Sequence, residues 1–369
     1  MFSRTSIARI RPAWGAGTLL LVAVALPLLL SEYSIGLVAL WLPLVILAIS
    51  TDLLWGENRI VSFGQGAFFA GGGYIAGLLL KGPAADTTGV NYEILGVGGG
   101  SGSSTFDSVI KALSGPSVAG IPILAFPLAV LICGAVGLLV GAAVFRLGSV
   151  EIYAPLVTLG VGVVAGAVFL DIHAIGASNG LSGIPSYTKE LFGGGQRANY
   201  IFNACWVALV YLVYWGFRSS RWGRLWRAAG DDPIRLEALG VPVRMVRSVG
   251  FAVACGLAGL AGALYAGSSG FISAELAGVV FSVQALIWVA VGGPGFLLGP
   301  LLGVMAIKVG ENYLSEGLQE SWQLLLGLLL ITVVLVAPRG LAGVPAAICR
   351  LAKRRGSEAS ASKRALAGG

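Results

Sequence analysis

Apolar runs long enough to cross a bilayer recur along this chain, separated by short polar joints. A spanning helix needs about 20 mostly apolar residues. By that measure the pattern predicts ten helical spans: 14–31, 35–54, 61–80, 120–145, 152–170, 201–217, 248–267, 277–292, 299–314 and 322–338. The expected fold class is an all-α polytopic membrane protein, with a transmembrane domain over 14–345, a short basic N-terminus over 1–13 and a basic tail over 346–369. The run from Trp14 to Leu30, behind Arg4, Arg9 and Arg11, is read as a first span rather than a cleaved signal peptide.

The spans are more than anchors. Glycines recur four residues apart at Gly73–Gly77, Gly137–Gly141, Gly162–Gly166, Gly295–Gly299 and Gly299–Gly303, and Gly256, Gly259 and Gly262 make a flat face. Small residues let helix backbones touch in lipid, where no hydrophobic force drives helices together. Prolines inside spans (Pro27, Pro43, Pro127, Pro155) and the break GGPGFLLGP from Gly292 to Pro300 predict interrupted helices. Such breaks persist where protein or a water-filled path satisfies the freed backbone groups. The Gly/Ser-rich segment 82–119 and the turn-rich segment 171–200 read as longer external loops, and no internal repeat is visible.

Composition agrees with the pattern. Hydrophobic residues make up 56% and charged residues 11%, against roughly 25% charged in soluble domains. The net charge of +7 does not point to nucleic acid, because the basic residues sit at the ends of apolar runs. With both termini cytoplasmic, 19 of the 24 Lys and Arg residues fall on the cytoplasmic side, as the positive-inside rule requires. The densest cluster is 218–247, with seven arginines. Within it a short helix is predicted, with Asp231 or Asp232 as N-cap, Pro233 in the first turn and Gly240 at the stop.

Much chemistry is missing from the sequence. No Gly-Lys pair exists, so no Walker A loop can hold ATP. HExxH and CxxC motifs are absent, and the four cysteines suggest neither disulfide nor metal set. No cofactor, metal or enzymatic activity is expected. The sole histidine, His173, reads as a loop residue. Asp52, Glu151 and Asp171 are placed at span ends, and Lys308, within a span, is expected to snorkel toward the outer surface. An uncharged interior of glycines and hydroxyls suits a small neutral or zwitterionic solute.

Several motifs together resemble the permease subunits of ATP-binding-cassette importers for branched-chain amino acids and the related urea importers. They are DLLWG at Asp52–Gly56 with SFGQGAFFAGGGY at Ser62–Tyr74, SNGLSGIP at Ser178–Pro185, SRWGRLWRAAGDDPIRLEALGV at Ser220–Val241, AGLAGALYA at Ala258–Ala266, IWVAVGGPGFLLGPLLG at Ile287–Gly303 and PRGLAG at Pro338–Gly343. The chain departs at Glu57-Asn58-Arg59, where such permeases commonly carry a Tyr-Thr-Gly turn, and in the insertion at 82–119. The resemblance implies a second permease subunit as heterodimeric partner, two cytoplasmic ATPases, an extracytoplasmic binding protein and a bacterial cytoplasmic (inner) membrane location. It implies an ATPase-coupling segment over 218–247, with Arg227, Ala228, Asp231, Asp232, Glu237, Ala238, Leu239 and Gly240 as its candidate residues. Ser62, Gly64, Gln65 and Gly66, together with Gly292, Gly293, Pro294 and Gly295, are the candidates for the translocation path or its helix breaks. Branched-chain amino acids and urea both remain open as solutes, since DLLWG and IWVAVGG look closer to the urea branch. The alternative class is an ATP-independent secondary transporter or channel for a small neutral solute.

Overall fold

The computed structural model describes residues 31–81, 122–146, 150–171, 179–188, 195–314, 327–328 and 340. Eight of the ten expected spans fall there, and all eight are helical: α1 (Glu32–Asn58), α2 (Gln65–Lys81), α3 (Pro122–Val144), α4 (Val150–Asp171), α5 (Gln196–Ser219), α8 (Val243–Ser269), α9 (Val279–Gly292) and α10 (Gly299–Leu314). Two shorter helices, α6 (Arg221–Asp231) and α7 (Pro233–Ala238), join α5 to α8. Among the described residues, five helices are long and apolar enough to cross a membrane, and α2 and α9 are shorter apolar helices. The spans 14–31 and 322–338, the loop 82–119, His173 and the tail lie outside the described residues.

α1 and α8 form the core and run antiparallel. Ala39 lies beside Ser268 through Asn203, Ser50 donates to the carbonyl of Ala254, and Leu53 meets Gly250 through Trp226. Apolar side chains on α3, α4 and α5, such as Leu131, Leu139, Leu156, Val164 and Leu212, point outward instead. This inside-out distribution is that of a protein whose solvent is lipid.

The glycine faces of α2, α3 and α8 work as the spacing predicts, whereas Gly166 does not. Gly134, Gly137 and Gly141 of α3 pack on Ala252, Cys255, Gly256, Phe251 and Ser248 of α8. Gly72 and Gly73 of α2 lie against Gly259 and Gly262, so closely that a side chain at Gly262 would fall on the carbonyl of Phe69. Gly166 of α4 has nothing within 4 Å of a would-be side chain.

The described span prolines do not interrupt their helices, contrary to expectation; Pro27 lies outside the described residues. Pro43, Pro127 and Pro155 all sit inside continuous α1, α3 and α4. At Pro43 the reason is visible. Proline has no N–H for the carbonyl four residues back, and that carbonyl, of Ala39, accepts from Asn203 Nδ2 of α5 at 2.9 Å.

The real breaks fall elsewhere. α1 continues to Asn58, and Arg59 closes it in the left-handed conformation. The chain then climbs back beside α1, and α2 begins only at Gln65, bonded to Ser50. Eight residues separate Ser50 from the end of α1, about 12 Å along the helix axis. From the other end, α8 leads through a two-residue antiparallel pairing of Leu181–Ser182 (β1) with Phe271–Ile272 (β2) and a 3₁₀ turn (Ala274–Ala277) into α9. α9 likewise starts inside the bundle, where Ser282 Oγ accepts from the Gly66 N–H at 2.9 Å. The order of a 27-residue helix, a re-entering segment and a shorter helix thus occurs twice in opposite senses. The repeat lies in backbone path rather than in matching residues, so the sequence does not display it.

Overpacking a helix seam costs roughly 1–3 kcal/mol, and this seam is backbone on backbone. Gly262→Val should therefore lower the melting temperature of the detergent-purified protein clearly, whereas Gly166→Val should leave it within experimental scatter. Thermal aggregation followed by size-exclusion chromatography reads both.

Candidate functional site: the polar cluster at the arginine-rich end

The arginine-rich segment docks on the bundle through one tryptophan. Ser220 caps α6 by accepting from the Gly223 N–H at 3.1 Å. Trp226, 1% exposed, then drops into the space left by Gly250 of α8 and donates Nε1–H to the carbonyl of Leu53 at 3.0 Å. Asn58 Nδ2 donates to the carbonyl of Trp226, and Gly230 lies against the backbone of Asn58. Arg247 of α8 donates to the carbonyl of Ala229. α6 is therefore fastened to the ends of both core helices.

α7 follows at a sharp corner, built as the sequence predicts. Asp232 is the N-cap, accepting from the Arg235 N–H at 3.1 Å, with Pro233 in the first turn. The end is a Schellman arrangement: Gly240 N–H donates to Glu237 and Val241 N–H to Leu236, with Gly240 at φ +81°. Only Leu236 of α7 is buried; Glu237, Ala238, Leu239 and Gly240 are exposed, Ile234 and Leu239 at 78% and 79%.

Beneath α6 lies a cluster of charge. Glu57 of α1, its side chain 3% exposed, is paired with Arg218 at the end of α5 (2.8 Å) and Arg227 of α6 (3.5 Å). Asp52, one and a half turns earlier on α1, is fully buried. One of its oxygens accepts from Tyr214 Oη at 2.6 Å and the other from the Gly295 N–H at 2.7 Å. Arg218 donates in turn to the carbonyl of Gly295 at 3.0 Å. Both backbone groups of Gly295 are thus held by charged side chains. The loop between α9 and α10 can adopt this path because Gly293 and Gly295 have φ of +106° and +77°, and Gly56 offers no side chain to block its approach.

The candidate residues thereby sort into four places. Arg227, Ala228 and Asp231 belong to α6, where Ala228 accepts from the Asp232 N–H and Asp231 pairs with Arg59 at 2.8 Å. Asp232, Glu237, Ala238, Leu239 and Gly240 form the projecting α7. Gly292, Gly293, Pro294 and Gly295 meet the arginine-rich end through Asp52 and Arg218. Ser62, Gly64, Gln65 and Gly66 do not join them. They lie deeper, buried against Thr158 of α4 and Ser282 of α9, with Phe63 N–H on Thr158 Oγ1 at 3.1 Å.

Sequence reasoning missed Asp52, Glu57, Tyr214 and Arg218 as members of one site. Asp52 does not end a span, as expected of it, but lies six residues inside α1. The signal was there: two acids five residues apart in an apolar helix need cations, and a cluster of arginines follows a later span.

The ion pairs are asymmetric in burial, which orders the cost of breaking them. Arg218→Met leaves Glu57 buried with one long contact, and stranding a buried charge costs about 3 kcal/mol or more. Glu57→Gln leaves two arginines that reach solvent at 22% and 29% exposure, so the loss should be smaller. Thermal unfolding in one detergent should rank Arg218→Met below Glu57→Gln; the opposite ranking would contradict the arrangement.

Comparison with known proteins places this geometry. The family of the branched-chain amino acid transport system permease component matches residues 33–335. The high-affinity branched-chain amino acid transport system permease protein LivM of Salmonella typhimurium is 27% identical over 348 residues, covering 88% of this chain and 73% of that protein. LivH of the same organism is 29% identical over 146 residues, 39% of this chain and 47% of its own length. The autoinducer 2 import system permease protein LsrC of Salmonella paratyphi B is 30% identical over 184 residues, 44% of this chain and 53% of its own. No solved structure matches. A family match across every described span, joined to a helical bundle with two re-entering segments, means that this chain belongs to the branched-chain amino acid transport system permease family.

Proposed function

We propose that this chain is one of two permease subunits of an ATP-binding-cassette importer in a bacterial cytoplasmic membrane, and that it passes branched-chain amino acids. A second, related permease completes the path. Two cytoplasmic ATPases hydrolyse ATP, so this chain is not itself an enzyme, and an extracytoplasmic binding protein delivers the solute. Both termini and the 218–247 segment lie in the cytoplasm, with ten spans between them.

One observation carries the reading: an exposed, well-capped helix is joined by a continuous polar chain to a break in the membrane bundle. α7 offers Ile234 and Leu239 to a soluble partner. From α7 the connection runs through α6 to Arg227, Glu57 and Arg218, and ends on the carbonyl of Gly295, whose N–H is held by Asp52. A push on α7 is thus delivered to the α9–α10 loop without unfolding anything in between. An ion-driven carrier has no need of such a projecting helix. Branched-chain amino acids are favoured over urea because the relative matched over most of its length is a branched-chain amino acid permease protein.

Leu239→Asp and Glu237→Lys change only exposed positions, where substitutions usually stay within about 0.5 kcal/mol. Both variants should reach the membrane in normal amounts yet lose ATP-dependent leucine uptake in vesicles. Wild-type uptake by both would refute the role of α7.

A further inference from the structure

The first turn of α6 keeps a large apolar side chain in the open. Trp226 marks the inner face of this helix, since it drops between Leu53 of α1 and Gly250 of α8. Trp222 comes four residues earlier, about 40° around the helix from Trp226, so it points to the same side. Yet Trp222 is 53% exposed and Trp226 only 1%. The helix crosses the end of the bundle, and its first turn overhangs the edge beside α5.

Below that edge runs the outward stripe of α5. Leu209, Leu212 and Trp215 are exposed along it, and it ends at Ser219. Arg224 reaches back to this end, with Nη1 donating to the carbonyl of Ser219 at 2.9 Å. Arg221 and Arg224 are both exposed and leave α6 about 140° and 160° around from Trp226. Among the described residues neither has a carboxylate within ion-pair reach. The nearby acids are already taken: Glu57 by Arg218 and Arg227, Asp231 by Arg59, and Asp232 by Arg235. Two arginines without counterions thus stand over an apolar edge that carries Trp215 and Trp222. A helix with tryptophan on one face and arginines on the other lies in the plane of a membrane interface. Tryptophan settles at headgroup level, and the guanidinium fork matches a phosphate.

We propose that the first turn of α6 is a binding site for anionic phospholipid. Trp222 enters the headgroup boundary beside α5, while Arg221 and Arg224 hold the lipid phosphates and supply the charge balance that the protein does not. The lipid fastens the α5 end of α6 and leaves α7, at the other end, to a soluble partner. This proposal is independent of which solute the permease passes. A docking protein is disfavoured at Trp222 because its side chain faces the way Trp226 does, toward the bundle and the bilayer around it.

The test uses the full chain with native cysteines replaced, in phosphatidylcholine vesicles containing phosphatidylglycerol. A nitroxide at Trp222→Cys should be reached by oxygen more readily than by a water-soluble nickel chelate, and one at Leu239→Cys of α7 should show the reverse. In detergent, added phosphatidylglycerol should raise the melting temperature more than phosphatidylcholine does. Arg221→Gln and Arg224→Gln change exposed positions, which leaves the fold intact. Each should raise the phosphatidylglycerol needed for half of that shift about fivefold. A label at 222 that reports water as the one at 239 does would overturn the proposal. So would a label sheltered only once the ATPase subunits are added, which would mark a protein contact. Equal stabilisation by phosphatidylcholine or by inorganic phosphate, or arginine variants that respond as the unmutated chain does, would overturn it as well.

Discussion

Both backbone groups of Gly295 are held by charged side chains, Asp52 on the N–H and Arg218 on the carbonyl. Most of the arrangement at that end of the molecule depends on this grip. A non-helical loop inside a membrane protein has backbone groups without partners, and lipid supplies none. Here the partners come from two helices, α1 and α5, and their charges need neutralising in turn. Tyr214 donates to Asp52, while Glu57 balances Arg218 and recruits Arg227. Arg227 belongs to α6, so satisfying one glycine fixes the position of the arginine-rich segment. Loop, helix ends and projecting α7 become one mechanical piece.

The rest of the bundle permits that piece to move as a unit. Helices that meet through glycine, as α2, α3 and α8 do, present flat backbone surfaces without interlocking side chains. Such surfaces are close and strong in dispersion contact, yet they can slide or tilt with little steric resistance. The polar groups deeper in the bundle serve a different end. Ser50, Thr158 and, from the first turn of α9, Ser282 bond to Gln65, Phe63 and Gly66, where α2 begins inside the bundle. They hold the two re-entering segments in register.

Helices were legible in the sequence, and the site only in halves. Hydropathy located every described span, because lipid imposes its length requirement on each helix separately. The α7 helix was legible to within one residue, with Asp231 or Asp232 open as its N-cap, since Asp232, Pro233 and Gly240 act through local backbone geometry alone. Prolines misled, because the partner that rescues Pro43 is Asn203, more than 150 residues away. Asp52 and Glu57 were undervalued for the same reason. What makes them a site is Tyr214, Arg218 and Gly295, and nothing in the local sequence says that these five converge. The break at Gly292–Gly295 was found, but not its attachment to the arginine segment, which is purely tertiary.

The central claim is that α7 and the α9–α10 loop travel together. Pulsed electron-spin resonance on the assembled importer, with nitroxides at Arg235 of α7 and Phe296 and native cysteines replaced, tests it directly. The distance between the labels should stay the same with and without bound ATP, and its distribution should broaden when Arg218→Met cuts the connection. A wild-type distance that changes between nucleotide states would contradict the account, because α7 would then move without carrying the loop.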